Sequence, residues 1–258
     1  MRQNTMKTKL YSGEPAVGVS LTFPSSHMVE ILAHCGFDWV LLDCEHGSMT
    51  AETVETMIMA SELAGIIPII RPPASWSDEL PRLLDRGAMG VQMPHIRTAD
   101  DAKRAVEAVK YPPLGNRGLD GAGLDGDFGL EVWHEGSTYI NDANRETFIV
   151  LQIETPEALA NVDEIAAVDG VDGLFVGPAD LGLRLGQAGG NADLDQAIAR
   201  VAEVAQKRDK AWGMPAGTPE ALAALRAQGA QLLAYGGDFA LAKVLADCSQ
   251  DLDRAFGE

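Results

Sequence analysis

Two carboxylates stand where apolar runs give way to helix-start signals. Phe148 to Ile153 leads into Glu154-Thr155-Pro156, and Leu174-Phe175-Val176 leads into Gly177-Pro178-Ala179-Asp180. Gln152 and Glu154 are two residues apart, so on a strand both side chains face one way and Ile153 the other. If the two strands are neighbours, Glu154 and Asp180 converge. Two hard oxygen donors suit an octahedral divalent cation that keeps positions open for a substrate. The competing reading of each acid is a plain helix cap or a salt-bridge partner.

Other strand ends carry further reactive groups. Trp39-Val40-Leu41-Leu42 is followed by Asp43, Glu45 and His46. Asp43 can orient the His46 imidazole across a tight turn as an acid–base pair; otherwise His46 is an exposed histidine in a capping turn. Arg71 precedes Pro72-Pro73 and is held extended. Its rigid guanidinium can bind a carboxylate or stabilise an enolate oxygen, or it can pair with a nearby strand-end acid. Asp85 ends a helix, a poor place for a negative charge. It therefore asks for a partner, which is His46 or Arg71 of another subunit, or simply the adjacent Arg86. His27, His34 and His134 show no ligand spacing and are expected to be structural, as is His95, a weaker candidate after Met93-Pro94.

These groups need a scaffold that brings strand ends to one face. Strands are predicted at Val17–Leu21, Trp39–Leu42, Ile66–Ile70, Val91–Met93, Phe148–Ile153, Leu174–Val176, Trp212–Met214 and Leu232–Ala234, alternating with helices. Gly36, Gly87, Gly170 and Gly229 each precede a strand and suit the left-handed residue that closes a helix. Thr155-Pro156-Glu157-Ala158-Leu159 is echoed by Thr218-Pro219-Glu220-Ala221-Leu222, with threonine as cap and proline at the first helical position. Eight alternations predict parallel strands closed into a single-domain (β/α)8 TIM barrel over residues 1–258, with the active face at the C-terminal strand ends. No glycine-rich dinucleotide loop follows the first strand, which disfavours an open nucleotide-binding sheet. Tyr111 to Thr147 breaks the rhythm, and loops of that length are often lids or interface arms.

Composition narrows the function. The 258 residues carry a formal charge of −18, which disfavours nucleic acid and acidic membranes as partners. Apolar residues make up 46 % of the chain and aromatics 6 %, as expected of an aliphatic core. Cys35, Cys44 and Cys248 show no paired spacing, and neither a membrane span nor a secretory leader pattern is evident, so reduced thiols in the cytoplasm are expected. The seven lysines fall in the tail or in predicted helices. A Schiff-base mechanism, which needs a lysine inside the barrel, is therefore disfavoured.

Several stretches together resemble the HpcH/HpaI family of metal-dependent (class II) pyruvate aldolases. They are Gly36 to His46, Arg71-Pro72-Pro73, Leu83 to Ala88, Tyr111 to Gly118, Gln152 to Thr155 and Gly170 to Leu181, in order along nearly the whole chain. The resemblance implies a barrel whose last helix is exchanged with a neighbour, within a hexamer built as a trimer of dimers. It implies Mg²⁺, Mn²⁺ or Co²⁺ on Glu154 and Asp180, with Gln152 in support. The substrate carboxylate would rest on backbone N–H groups around Gly177 and Ala179, and Arg71 would stabilise the enolate oxygen. His46 with Asp43 would transfer the proton, and Asp85 would buttress that pair, across a subunit interface. The implied reaction is reversible cleavage of a 4-hydroxy-2-oxo acid to pyruvate or hydroxypyruvate and an aldehyde. A citrate-lyase β-like acyl-CoA lyase and a non-catalytic oxo-acid-binding barrel are the alternatives. Leu114 and the stretch Gly121 to Asp127 depart from the family pattern where an aldehyde would enter, and leave that partner unassigned.

Overall fold

Eight strands alternate with helices: β1 (Ala16–Leu21), β2 (Trp39–Asp43), β3 (Ile67–Arg71), β4 (Gly90–Met93), β5 (Phe148–Ile153), β6 (Gly173–Val176), β7 (Ala211–Ala216) and β8 (Leu232–Gly237). The computed structural model describes residues 1–73, 79–187 and 194–256. The strands are hydrogen-bonded in chain order, every pairing is parallel, and β8 closes on β1. This is the (β/α)8 barrel that the alternation predicts. Gly36, Gly87, Gly170 and Gly229 take φ of 85°, 96°, 89° and 87°, the left-handed region that lets a helix stop and the chain turn back. The Thr155 hydroxyl accepts from the Ala158 N–H at 3.0 Å and that of Thr218 from the Ala221 N–H at 3.1 Å, so both Thr-Pro starts are capped.

The two-residue period of the strands sorts their side chains into two layers. Trp39, Leu41, Ile67, Ile69, Phe148, Val150 and Phe175 fill the barrel interior. Val40, Leu42, Ile70, Ile149, Leu151 and Ile153 face the helices. Each such buried side chain contributes roughly 1.5–3 kcal/mol. Continuing the inward stripe brings β2 to Asp43, β3 to Arg71 and β5 to Gln152. The stripe thus turns from apolar to polar at the C-terminal rim.

The N-terminal mouth is plugged by the helix Thr5–Tyr11, whose Met6 and Leu10 join the interior. Residues 111–147 are a folded extension. They contain a 3-10 turn (Leu124–Gly129) and a helix (Tyr139–Glu146), packed around Tyr111, Val132, Tyr139 and Ala143. The last helix, Ala240–Phe256, lies apart from the core and exposes Leu241, Val244, Leu245, Leu252 and Phe256. No helix among the described residues is long and apolar enough to cross a membrane.

Candidate active site

Asp43 and Arg71 are direct neighbours in the β2–β3 register. Arg71 donates from Nε to Asp43 Oδ1 at 2.9 Å and from Nη2 to Oδ2 at 2.6 Å, a two-pronged grip that fixes the guanidinium plane. Asp43 is 1 % exposed. Burial alone would raise its carboxyl pKa, but the Arg71 bond and charge, with the amides of His46 and Glu45, hold it below the usual carboxylate range. Burial would likewise depress Arg71, yet Asp43, Glu45 and Glu154 together push it above its ordinary value. Glu45 Oε2 lies 3.3 Å from Arg71 Nε, without a hydrogen bond.

The expected Asp43–His46 side-chain pair is corrected by this geometry. Asp43 Oδ1 accepts the backbone N–H groups of Glu45 (3.1 Å) and His46 (3.3 Å) as well as Arg71 Nε. With its oxygens committed to Arg71 and to the turn, Asp43 shapes the loop that carries His46 and does not grip the ring. The imidazole is 65 % exposed, with Nε2 3.7 Å from Glu45 Oε2.

On the other side of the rim, Glu154 is 2 % exposed and held at both oxygens. Oε1 accepts the His95 backbone N–H at 2.7 Å, and Oε2 accepts from Gln152 Nε2. Gln152 in turn accepts Gln92 Nε2 at 2.8 Å. Gly177 is required beside them, because a Cβ there would come within 2.9 Å of Glu154 Cβ and 3.1 Å of Gln152 Nε2. Asp180 does not stand at a strand tip. Strand β6 ends at Val176, and Asp180 lies in the first turn of the helix Pro178–Gln187. Arg184 ties it to Glu154, with Nη2 2.9 Å from Asp180 Oδ1 and Nη1 donating to the Glu154 carbonyl at 3.2 Å.

Two further expectations are corrected. The Gly177 N–H is already donated to the Ile153 carbonyl at 3.0 Å, so it is not free for a substrate. Free donors at the start of this helix fall on the following residues, Ala179 and Asp180, because first-turn N–H groups have no partner inside the helix. Asp85 does not take the adjacent Arg86 of its own chain. Its partner is Arg117 at 2.6 Å, which also holds Asp125 at 2.7 Å, while Arg86 turns to Glu55. Asp85 ends the helix that returns from the rim of β3 towards the start of β4. It therefore lies away from the strand tips of its own barrel.

His95 is not a bystander. Its Nε2 lies 2.8 Å from Glu45 Oε1 and its Nδ1 3.4 Å from Glu154 Oε1. The sequence carried a usable signal, since His95 follows β4 as Arg71 ends β3. Glu45 and Gln92 were likewise legible as rim residues by the same rule.

Charge indicates what the rim accommodates. Asp43, Glu45, Glu154 and Asp180 face only Arg71 and Arg184 in these pairs. Counting aspartates, glutamates and arginines alone, two negative charges are left over, as many as a divalent cation cancels. Among the described residues no three His, Cys, Asp or Glu side chains are arranged to hold a metal. An ion on Glu154 and Asp180 would therefore keep positions for water and substrate, and this donor set fits a hard cation.

The model of a family described as HpcH/HpaI aldolase/citrate lyase matches residues 19–243. The chain is 38 % identical over 209 residues to an Escherichia coli 4-hydroxy-2-oxo-heptane-1,7-dioate aldolase, covering 78 % of each. It is 35 % identical over 263 residues to a Shigella flexneri protein of the same name, covering 99 % of this chain and 94 % of that one. The crystal structure of an HpcH/HpaI aldolase from Desulfitobacterium hafniense DCB-2 superposes with a TM-score of 0.88 at 30 % identity over 96 % of each chain.

Proposed function

The chain belongs to the HpcH/HpaI aldolase/citrate lyase family, with the carbon–carbon lyase chemistry of a class II aldolase, and from that premise we propose which of its residues cleave a 4-hydroxy-2-oxo acid to pyruvate or hydroxypyruvate and an aldehyde. The observation that carries the assignment is the charge imbalance at the rim, where Asp43, Glu45, the buried Glu154 and Asp180 share only the arginines Arg71 and Arg184. Mg²⁺, Mn²⁺ or Co²⁺ would be held by these two carboxylates, and when bound would supply Lewis acidity to the 2-oxo group.

The chain's own groups do the rest. The N–H groups of Ala179 and Asp180, at the positive end of the helix Pro178–Gln187, receive the substrate carboxylate. Gly177 contributes space beside Glu154 and Gln152. Arg71, clamped by Asp43, presents positive charge to the oxygen on which charge gathers as the C3–C4 bond breaks; it needs no reorganisation to do so. His46, on the turn that Asp43 shapes, takes the proton from the C4 hydroxyl during cleavage and returns it during addition.

The assembly belongs to the same proposal. The apolar residues of Ala240–Phe256 call for a second copy of the chain to cover them, through helix exchange in a hexamer of three dimers. In such an assembly Asp85 buttresses the site of a neighbouring copy, since its own rim is out of reach. The expected setting is the cytoplasm.

The test is hydrogen–deuterium exchange of the pyruvate methyl group in deuterated water, followed by NMR. Exchange is expected with added Mg²⁺, Mn²⁺ or Co²⁺ and is expected to stop with a chelator. Exchange that survives chelation, or that none of the three cations supports, overturns the reading.

A further inference from the structure

His95 has no role in the steps above, yet its backbone and its ring both engage the rim. Its φ is +58°, in the left-handed region that a residue with a Cβ enters at a cost of about 1 kcal/mol or more. That conformation aims its N–H at Glu154 Oε1, 2.7 Å away. The same residue's Nδ1 lies 3.4 Å from the same oxygen, while Nε2 lies 2.8 Å from Glu45 Oε1. One imidazole therefore spans two carboxylates carried by different strand ends, the turn after β2 and the tip of β5. Unbridged, two like charges in a largely buried rim repel each other. Glu45 is restrained from its other side by Arg71 at 3.3 Å, and Glu154 by Gln152. The ring completes a brace running from Arg71 through Glu45 to Glu154.

We propose that His95 is a positioning residue that sets the Glu154 carboxylate for the divalent cation by bracing it against Glu45. This rests on the reading of Glu154 as a cation ligand. The side chain is 43 % exposed, so the ring is not part of the core, and its loss leaves the barrel packing intact. Groups that orient metal ligands in this way typically contribute 10- to 100-fold in affinity.

The experiment titrates the full-length protein with Mn²⁺, read by electron paramagnetic resonance of the free ion, alongside thermal unfolding without metal. His95→Gly removes the ring, relieves the backbone strain and keeps the N–H that Glu154 accepts. It is expected to weaken Mn²⁺ binding 10- to 100-fold while unfolding near the wild-type temperature. His95→Asn suits the same backbone conformation but cannot reach both carboxylates. It is expected to fall between the two, and it carries the test should His95→Gly misfold. Glu154→Gln is the reference. If it loses Mn²⁺ while both His95 variants bind as tightly as wild type, the brace is refuted and the cation site stands. If wild type does not bind Mn²⁺, or Glu154→Gln binds it equally well, the underlying reading fails instead.

Discussion

The two mouths of the barrel are built from the same kinds of residue to opposite ends. At the N-terminal mouth, Asp172 accepts from the Ile149 N–H at 2.8 Å and the Tyr11 hydroxyl at 2.9 Å, and pairs with Lys7 at 2.7 Å. Lys110 donates to the carbonyls of Asn144 at 2.7 Å and Thr147 at 2.5 Å. Asn4, fully buried, bonds Met89, Glu146 and Lys7. Apart from the Thr147 hydroxyl, this cluster is saturated. At the C-terminal rim, Glu45 Oε2 and Gln92 Oε1 are buried without a donor, and the carboxylates outnumber the cations. A buried polar group lacking a partner costs about 1–3 kcal/mol. The contrast is one of charge: Asp172 is already matched by Lys7 at the N-terminal mouth, whereas the carboxylate excess at the C-terminal rim is left for a cation to complete.

The sharpest way to break this contrast is to exchange the effects of mutation between the two ends. Glu154→Ala is expected to lower aldol cleavage by about 10³-fold or more, on the order of 4 kcal/mol of barrier. Its unfolding free energy should change far less. Steady-state turnover and chemical denaturation on the same preparation decide it, and a variant that cleaves normally sinks the assignment. Asp172→Ala should do the reverse. Leaving Lys7 and Lys110 buried without their acid is expected to cost roughly 3–5 kcal/mol of stability, while turnover per folded molecule stays within a few-fold of wild type.

Arg71→Lys tests geometry at constant charge. A lysine cannot reproduce the two-pronged grip on Asp43, so kcat is expected to drop about 10²-fold, or on the order of 3 kcal/mol. Unchanged kinetics would show that charge alone suffices there.

The smallest effect concerns pH at the saturated end. Burial, partly offset by Asp172 and reinforced by Lys7, pushes the Lys110 ammonium down to about 8. In the unfolded chain a lysine titrates near 10.4. Between these values the unfolded chain binds more protons, so stability should rise with pH through that window, by at most about 3 kcal/mol. In Lys110→Met the rise should vanish, as urea titrations at pH 8 and pH 10 would reveal. Parallel behaviour of the two proteins would place the response elsewhere.

Much of this architecture is written locally. The predicted strand Phe148–Ile153 matches β5 residue for residue, and the others differ at their ends. The exception at the rim is Asp180, assigned to a strand end but lying in a helix, because Gly177-Pro178 already starts the helical turn. Partner choice was less legible. Asp85 finds Arg117, 32 positions away, only once residues 111–147 dock against the barrel. His95 reads as an isolated histidine until β4 and β5 are laid side by side.

The residues themselves determined that strands alternate with helices, that glycines reverse the chain, and that reactive groups collect at strand ends. Each of these depends on a short-range quantity: a two-residue period, the sign of φ, or a hydroxyl three residues from an N–H. The folded barrel decided which lone pair each donor takes. Asp43 was claimed by Arg71 and two amides before His46 could use it, and the Gly177 N–H by Ile153 before a substrate could. Donors and acceptors compete for a limited number of sites, and the winner depends on distances that exist only after β8 has closed on β1.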